Sequence, residues 1–243
     1  MRLALVHAKS ETLQYARYPA YALPTLAFPG LLMLLLGRQF VRDEPERLLV
    51  GFAAVALLTV TFFQFGVGIA TSRTTPWEAY LRTLPAGPMT RLAGRVLSAL
   101  VFAAATVVVV TVVGIAVFDA EMAVWRFGVS ILALILGSIP FALLGIAFGY
   151  LLPPRAALPV ANLIFLPLAI GGALWARPEG LPHRADVASQ ALPTRSWIEV
   201  LDSVATGDHL LPLHHVAALA GWTLVFGALA WWGYRRDEGE RFR

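Results

Sequence analysis

The 243-residue chain is 58% hydrophobic and only 14% charged, whereas about 25% of the residues in a soluble globular domain are charged. This composition excludes an ordinary water-soluble fold and predicts an all-α integral membrane protein. The absence of cysteine excludes disulfides, thiolate catalysis and cysteine-based zinc sites.

Residues 1–17 are too polar to cross a bilayer. They mix leucine and valine with Arg2, Lys9 and Glu11, which predicts a weakly amphipathic helix on the cytoplasmic membrane surface. A frayed tail is the alternative. The apolar run that follows starts at Tyr18, contains three prolines and lacks the small-residue cleavage site of a signal peptide. We therefore expect it to be retained as a helix.

Six apolar runs without Asp, Glu, Lys or Arg are each long enough for the roughly 20 helical residues that a bilayer core requires. We number them spans 1 to 6; they lie near residues 18–37, 48–70, 96–118, 127–151, 156–176 and 213–234. A cytoplasmic N-terminus places twelve of the 19 basic residues inside and seven outside. The positive-inside rule therefore predicts a multi-pass protein of the cell membrane with both termini cytoplasmic. The net charge of +4 lies in these loops and tails, without the basic stripe typical of nucleic-acid binding.

The segment TPWEAYLRTL, residues 75–84, has the clearest local pattern in the chain. Thr75 suits a helix N-cap, Pro76 suits the first helical position, and Glu78 completes a capping box and pairs with Arg82. Apolar residues recur at i, i+3, i+4 and i+7 and form one aromatic face: Trp77, Tyr80, Leu81 and Leu84. Because so short a helix is marginal alone, this face must lie in the headgroup region or against a partner protein.

Spans 4 and 5 contain residues that disturb helices. Span 4 has Pro140 at its middle, with Gly145 and Gly149 four residues apart, which predicts a kink and close packing against a neighbouring helix. Span 5 includes Asn162 and Pro167, a pattern typical of a broken or irregular helix.

Residues 177–212 form a long external segment that prolines divide. Its second half has apolar residues at near-helical spacing and predicts a half-buried helix: Trp197, Ile198, Leu201 and Val204. Two short re-entrant helices in the outer leaflet and a surface loop are both compatible with this pattern.

Several kinds of chemistry can be tested on the sequence. The only lysine is Lys9, and no glycine-rich phosphate-binding loop precedes it, so the chain has no such ATPase site. Secondary carriers usually keep ionisable residues inside their spans, and these spans have no acidic or basic residue. A secondary carrier and a structural or regulatory membrane protein remain alternatives.

An intramembrane serine protease of the rhomboid type is a further alternative. Ser130 opens span 4 in a Gly-Val-Ser-Ile run, and His214 and His215 open span 6, so a serine and an imidazole would face the same side. The second glycine of the usual serine motif is missing. The histidines with Asp208 and His209 fit no standard metal signature, and no metal site is predicted.

The whole pattern resembles the type 2 permease family of ATP-binding-cassette exporters. The resemblance rests on the polar N-terminal helix, the six spans with both ends inside, and several segments: TPWEAYLRTLPAGPMTRLAGRVL, VANLIFLPL, WARPEGLP and ALPTRSW. The first external loop is shorter than is common in that family.

The resemblance implies a transporter subunit without enzymatic activity, paired with a second permease subunit as a homodimer or heterodimer. A separate nucleotide-binding subunit would bind ATP and magnesium, and this chain would bind no cofactor. Residues 75–84 would be the coupling helix that contacts this ATPase, through Thr75, Pro76, Trp77, Glu78, Tyr80, Leu81, Arg82 and Leu84. The N-terminal helix would brace the same contact.

By this resemblance the transported compound would pass between spans of the two permease subunits. The polar or aromatic residues chosen for the path are Gln64, Phe65, Asn162 and Phe165. Packing between helices is the alternative role for each. A path without charge favours a hydrophobic or amphipathic compound such as a drug, antibiotic or lipid.

Overall fold

A computed structural model of the chain describes residues 2–40, 44–76, 88–174, 183–207 and 212–241. Within these ranges six helices are long and apolar enough to cross a membrane, which confirms the predicted all-α fold with six spans. Spans 1 to 6 are Pro19–Phe40, Pro45–Ser72, Pro88–Phe118, Val124–Leu151, Pro154–Gly171 and Leu213–Arg241. The remaining helices are the N-terminal helix Arg2–Ala16, the first connecting helix His183–Gln190 and the second connecting helix Pro193–Thr206.

Span 2 is the centre of the bundle. It packs against spans 1, 3, 4 and 5 and against the second connecting helix. Nearly all of its residues are buried, whereas fewer than half of the residues of each other span are buried. Spans 3 and 4 are more apolar than span 2, so the central place of span 2 comes from the packing of the helices.

The helical irregularity lies in span 2. An α-helix, Pro45–Val60, is followed by a π-helix, Thr61–Val67, and by a last α-helical turn, Gly68–Ser72. Span 5, predicted to be broken or irregular, is not broken, because its helix is continuous from Pro154 to Gly171. Pro159 and Pro167 inside this helix each remove one intrahelical hydrogen bond, and the remaining bonds continue the helix past them.

The predicted close packing of span 4 is confirmed, and its partner is the π-helix. A Cβ at Gly149 would stand 2.9 Å from Ile69 Cβ and 3.0 Å from the Gly66 carbonyl oxygen. Gly66 in turn lies beneath the Phe148 ring. Small residues on both helices therefore let the two backbones approach.

The second connecting helix lies among spans 2, 4 and 6; Trp197, Ile198 and Leu201 of its predicted apolar face are fully buried, and Val204 is partly buried. Trp197 packs on Phe141 with ring centroids 5.0 Å apart, and it occupies the space that a Cβ at Gly137 would fill. The large Trp197 side chain therefore fills space between the spans that a smaller aliphatic side chain would leave empty.

Two arginines fasten this helix to the bundle. Arg47, at the start of span 2, forms an ion pair with Asp202. Arg126, at the start of span 4, donates a 2.7 Å hydrogen bond to the Thr206 carbonyl oxygen. Because the last carbonyls of a helix lack intrahelical partners, Arg126 caps the helix where Gly207 adopts a left-handed conformation.

Candidate functional site

The structure describes the predicted coupling segment only at its start. Thr75 and Pro76 are exposed, and the Thr75 hydroxyl donates a 2.7 Å hydrogen bond to the Ser72 carbonyl oxygen. The other predicted coupling residues lie outside the described residues: Trp77, Glu78, Tyr80, Leu81, Arg82 and Leu84. Their role as a coupling helix therefore stays a prediction.

The backbone that leads into this segment is held by Arg73. Its guanidinium donates hydrogen bonds to the carbonyl oxygens of Tyr150 and Leu152, at 2.5 and 2.6 Å, where span 4 ends. It also forms a 2.7 Å ion pair with Asp237 of span 6. The sequence analysis used Arg73 only as a topological charge, since nothing in the local pattern indicates partners so distant along the chain.

The backbone that leaves the segment is held by Arg95, near the start of span 3. Arg95 pairs with Glu11 of the N-terminal helix at 3.2 Å and donates to the Ser72 hydroxyl at 3.1 Å. The N-terminal helix packs along span 3. Burial raises the pKa of the Tyr15 hydroxyl on this helix above its usual value, so Tyr15 stays neutral against Phe102.

Gln64 belongs to a chain of polar groups between helices. Its Nε2 donates to the Ser98 hydroxyl at 3.2 Å, and the Thr12 hydroxyl donates to the same oxygen at 3.1 Å. Gln64 and Ser98 are fully buried, and among the described residues the Gln64 Oε1 has no hydrogen-bond partner. The chain links the N-terminal helix, span 3 and the π-helix of span 2.

A cavity of about 410 Å³ lies between spans 1, 2 and 5. Asn162 and Phe165, two of the four predicted path residues, line it. Phe165 packs against Phe63 with ring centroids 6.0 Å apart. The other lining residues are Pro24, Thr25, Phe28, Thr59, Leu158 and Leu166. Among the described residues, the walls are apolar and aromatic, with a few polar side chains and no charged one.

The structure separates the remaining two predicted path residues from this cavity. Gln64 faces span 3 through Ser98, and Phe65 faces span 4, where its Cβ would stand 3.3 Å from a Cβ at Gly145. Both are buried inside the subunit. The sequence analysis missed Thr25, Thr59 and Phe63, because a residue type inside an apolar helix does not indicate which face meets a cavity.

The serine and histidines of the protease alternative are not paired among the described residues. The buried Ser130 hydroxyl contacts the Met122 sulfur at 3.7 Å. His215 Nδ1 is 3.2 Å from the Ser196 hydroxyl, and its ring packs against His214. The imidazole that would activate Ser130 is therefore engaged elsewhere.

Comparison with known proteins identifies the family. The family model described as ABC-2 type transporter matches residues 3–204. The Bacillus subtilis (strain 168) protein named "Putative transport permease YvfS" is 22% identical over 146 residues, which are 60% of this chain and 60% of that protein. The aligned region thus spans less than two thirds of the relative. With six helices long and apolar enough to cross a membrane and a family match over most of its length, the chain belongs to the ABC-2 type transporter family.

Proposed function

We propose that the chain is the permease subunit of an exporter that moves a hydrophobic or amphipathic compound, such as a drug, antibiotic or lipid, across the cell membrane. The observation that supports this most is the cavity between spans 1, 2 and 5. An uncharged wall favours an uncharged or weakly polar compound, since a multiply charged one would find no compensating partner there. Its volume lies in the range of about 300–1,000 Å³ that drug-sized ligands occupy.

Asn162 gives the cavity a directional polar group. Its Nδ2 donates to the Leu158 carbonyl oxygen at 3.2 Å, and its side-chain carbonyl oxygen would accept a hydrogen bond from a bound compound. A compound with apolar rings and at least one hydrogen-bond donor would match this lining. Aromatic side chains at Phe63 and Phe165 would stack against such rings.

In this proposal a second permease subunit covers the cavity, as a homodimer or heterodimer. The side chains at the cavity's rim are exposed and apolar in the isolated chain, among them Phe28, Leu158 and Leu166. ATP and magnesium would bind to a separate nucleotide-binding subunit, and residues 75–84 would contact that subunit. Export, in preference to import, rests on the family resemblance.

Both termini would face the cytoplasm. Arg73, Asp237 and the Arg95–Glu11 pair bring the N-terminal helix, the loop after span 2 and the end of span 6 to one end of the bundle. This arrangement supports termini on the same side, and the basic residues of these loops favour the inner side.

The test is reconstitution with a nucleotide-binding subunit. The chain is co-expressed with ATP-binding-cassette subunits of its own genome, purified and placed in lipid nanodiscs, and ATP hydrolysis is measured with three probes. These probes are an uncharged polyaromatic compound, a lipophilic amine and a multiply charged sugar phosphate. We expect co-purification and stimulation by the first two probes. Failure to bind any such subunit, or stimulation by the sugar phosphate alone, would overturn the proposal.

A further inference from the structure

We propose that Arg73 is a positioning residue that makes spans 2, 4 and 6 move as one body when the segment after span 2 is displaced. This inference rests on the proposed function, because it concerns how motion of residues 75–84 reaches the rest of the permease. Sequence order alone would deliver that motion to spans 2 and 3. The contacts of Arg73 direct it to spans 4 and 6.

Arg73 joins the end of span 4 to the end of span 6. Its Nη1 reaches the Tyr150 carbonyl oxygen and Asp237 Oδ1, and its Nη2 reaches the Leu152 carbonyl oxygen. The last carbonyls of a helix have no intrahelical donor and carry the negative end of the helix dipole. A guanidinium at the end of span 4 therefore satisfies two of these carbonyls and still binds a carboxylate of span 6.

The ion pair between Arg73 and Asp237 is largely buried. The side chains of Arg73 and Asp237 are only 14% and 9% exposed. Separating a pair this buried costs far more than separating a surface ion pair, because water does not reach the charges to solvate and screen them. The planar fork of arginine can meet three acceptors in one geometry, whereas lysine presents a single ammonium group.

Further contacts also hold spans 2, 4 and 6 together. Spans 4 and 6 pack along their length, and Tyr150 meets Tyr234 with ring centroids 5.4 Å apart close to the Arg73 contacts. At the opposite end, the second connecting helix joins span 2 through the Arg47–Asp202 pair and also packs on spans 4 and 6. Spans 2, 4 and 6 are thus joined at both ends.

Span 3 is connected to the start of the segment in a different way from spans 4 and 6. Although span 3 follows the segment in sequence, Arg95 near its start is paired with Glu11 of the N-terminal helix. Arg95 also donates a hydrogen bond to the Ser72 hydroxyl of span 2, which is a neutral group. The stronger connection of the segment's first residues is therefore to spans 4 and 6.

The first experiment measures the joint directly in the purified full chain in nanodiscs. Because the chain has no cysteine, two introduced cysteines are the only spin-label sites. Labels at the exposed positions Thr71 and Arg235 report the distance between the ends of spans 2 and 6 by double electron–electron resonance. We expect a narrow distribution in the parent chain and a clearly broadened one in Arg73→Ala.

The control for this experiment is Arg155→Ala, which removes an exposed arginine at the same end of the bundle. It should leave the distribution narrow. If Arg73→Ala fails to fold, Asp237→Asn keeps the shape of span 6 and removes only the ion pair, and it should broaden the distribution to a smaller extent. An unchanged distribution in either Arg73→Ala or Asp237→Asn would overturn the joint.

The second experiment measures coupling in the complex with the nucleotide-binding subunit. Transport per ATP hydrolysed should fall about fivefold or more in Arg73→Ala, the lower range of typical coupling between sites. Because transport is expressed per ATP hydrolysed, this ratio and not the basal rate of ATP hydrolysis decides the outcome. Arg73→Lys should recover little, because one ammonium group cannot serve three acceptors.

The outcomes separate this inference from the proposed function. A broadened distribution with unchanged transport per ATP would show that Arg73 holds the spans without serving coupling, and the inference would be wrong. A chain that binds no nucleotide-binding subunit would overturn the proposed function. The distance measurement would still decide whether Arg73 joins spans 2, 4 and 6.

Discussion

Gly145 of span 4 lies so close to Thr61 of span 2 that a Cβ on the glycine would stand 2.4 Å from the threonine carbonyl oxygen. The obstacle is backbone, in the first turn of the π-helix, and it cannot rotate away as a side chain would. This contact holds the two central spans together at the place where the helical hydrogen-bond pattern changes. π-Helical turns occur frequently at functional sites, so the contact is a place to test both stability and transport.

We expect Gly145→Ala to destabilise the folded protein by about 1–3 kcal/mol, the usual cost of overpacking. The measurement is the midpoint of thermal unfolding in detergent, followed by intrinsic tryptophan fluorescence. Gly128→Ala in the same span is the matched control, because no atom of the described residues lies within 4 Å of a Cβ there. Equal midpoints for the two variants would contradict the close approach.

The polar chain through Ser98 predicts an unequal pair of effects. Ser98→Ala leaves the Gln64 amide and the Thr12 hydroxyl without their shared partner and should cost about 1–3 kcal/mol. Gln64→Leu removes the buried carbonyl oxygen and the amide together, so it should cost less than Ser98→Ala. Thermal unfolding midpoints of both variants give the comparison.

Gln64→Leu also tests the path assignment of Gln64. If Gln64 only packs between helices, the variant should keep transport near the parent level. A loss of transport at unchanged stability would instead favour Gln64 as a path residue, a role that its burial in this conformation does not display.

The ion pair between Arg47 and Asp202 should stabilise the second connecting helix. Arg47→Ala should lower stability by roughly 2 kcal/mol or more, because it removes the arginine that forms an ion pair with a largely buried carboxylate. The reversed pair, Arg47→Asp with Asp202→Arg, should recover part of this loss. A double-mutant cycle of unfolding midpoints measures the coupling, and additive effects would contradict a direct pair.

Asn162 should affect how the permease responds to compounds. In Asn162→Ala, the compound that the reconstitution identifies should stimulate ATP hydrolysis only at higher concentrations. We expect its apparent affinity to fall about 5- to 150-fold, which corresponds to the roughly 1–3 kcal/mol of an unmade polar contact. The control is Leu163→Ala, which changes a highly exposed neighbour outside the cavity lining. Equal responses of the two variants would argue against the cavity as a binding site.

The apolar face of residues 75–84 predicts a contact with the nucleotide-binding subunit. Tyr80→Ala combined with Leu81→Ala should uncouple ATP hydrolysis from transport while membrane insertion stays intact, because apolar burial supplies the affinity of such a contact. Thr83→Ala, on the predicted polar face, is the control. Unchanged transport and unchanged ATPase stimulation in the double variant would refute the docking role.

The sequence by itself determined the six spans and the family. Each span needs about 20 uncharged residues, and in the bilayer core a helix satisfies every backbone hydrogen bond within one such run. The helix around Trp197 and the close packing at Gly145 and Gly149 could also be predicted from the sequence, because helical spacing and small residues are local properties. The capping signals at Thr75 and Pro76 likewise predict a helix start, although the helix beyond them stays a prediction.

Only the tertiary structure decided which faces meet. In a bilayer an apolar face can lie against lipid or against another helix at similar cost, so the sequence pattern cannot name a helix's neighbours. The central place of span 2, its π-helix and the cavity at Asn162 therefore appear only in three dimensions. The same holds for Arg73 and Asp237, 164 positions apart in sequence, whose pairing depends on how spans 2, 4 and 6 pack.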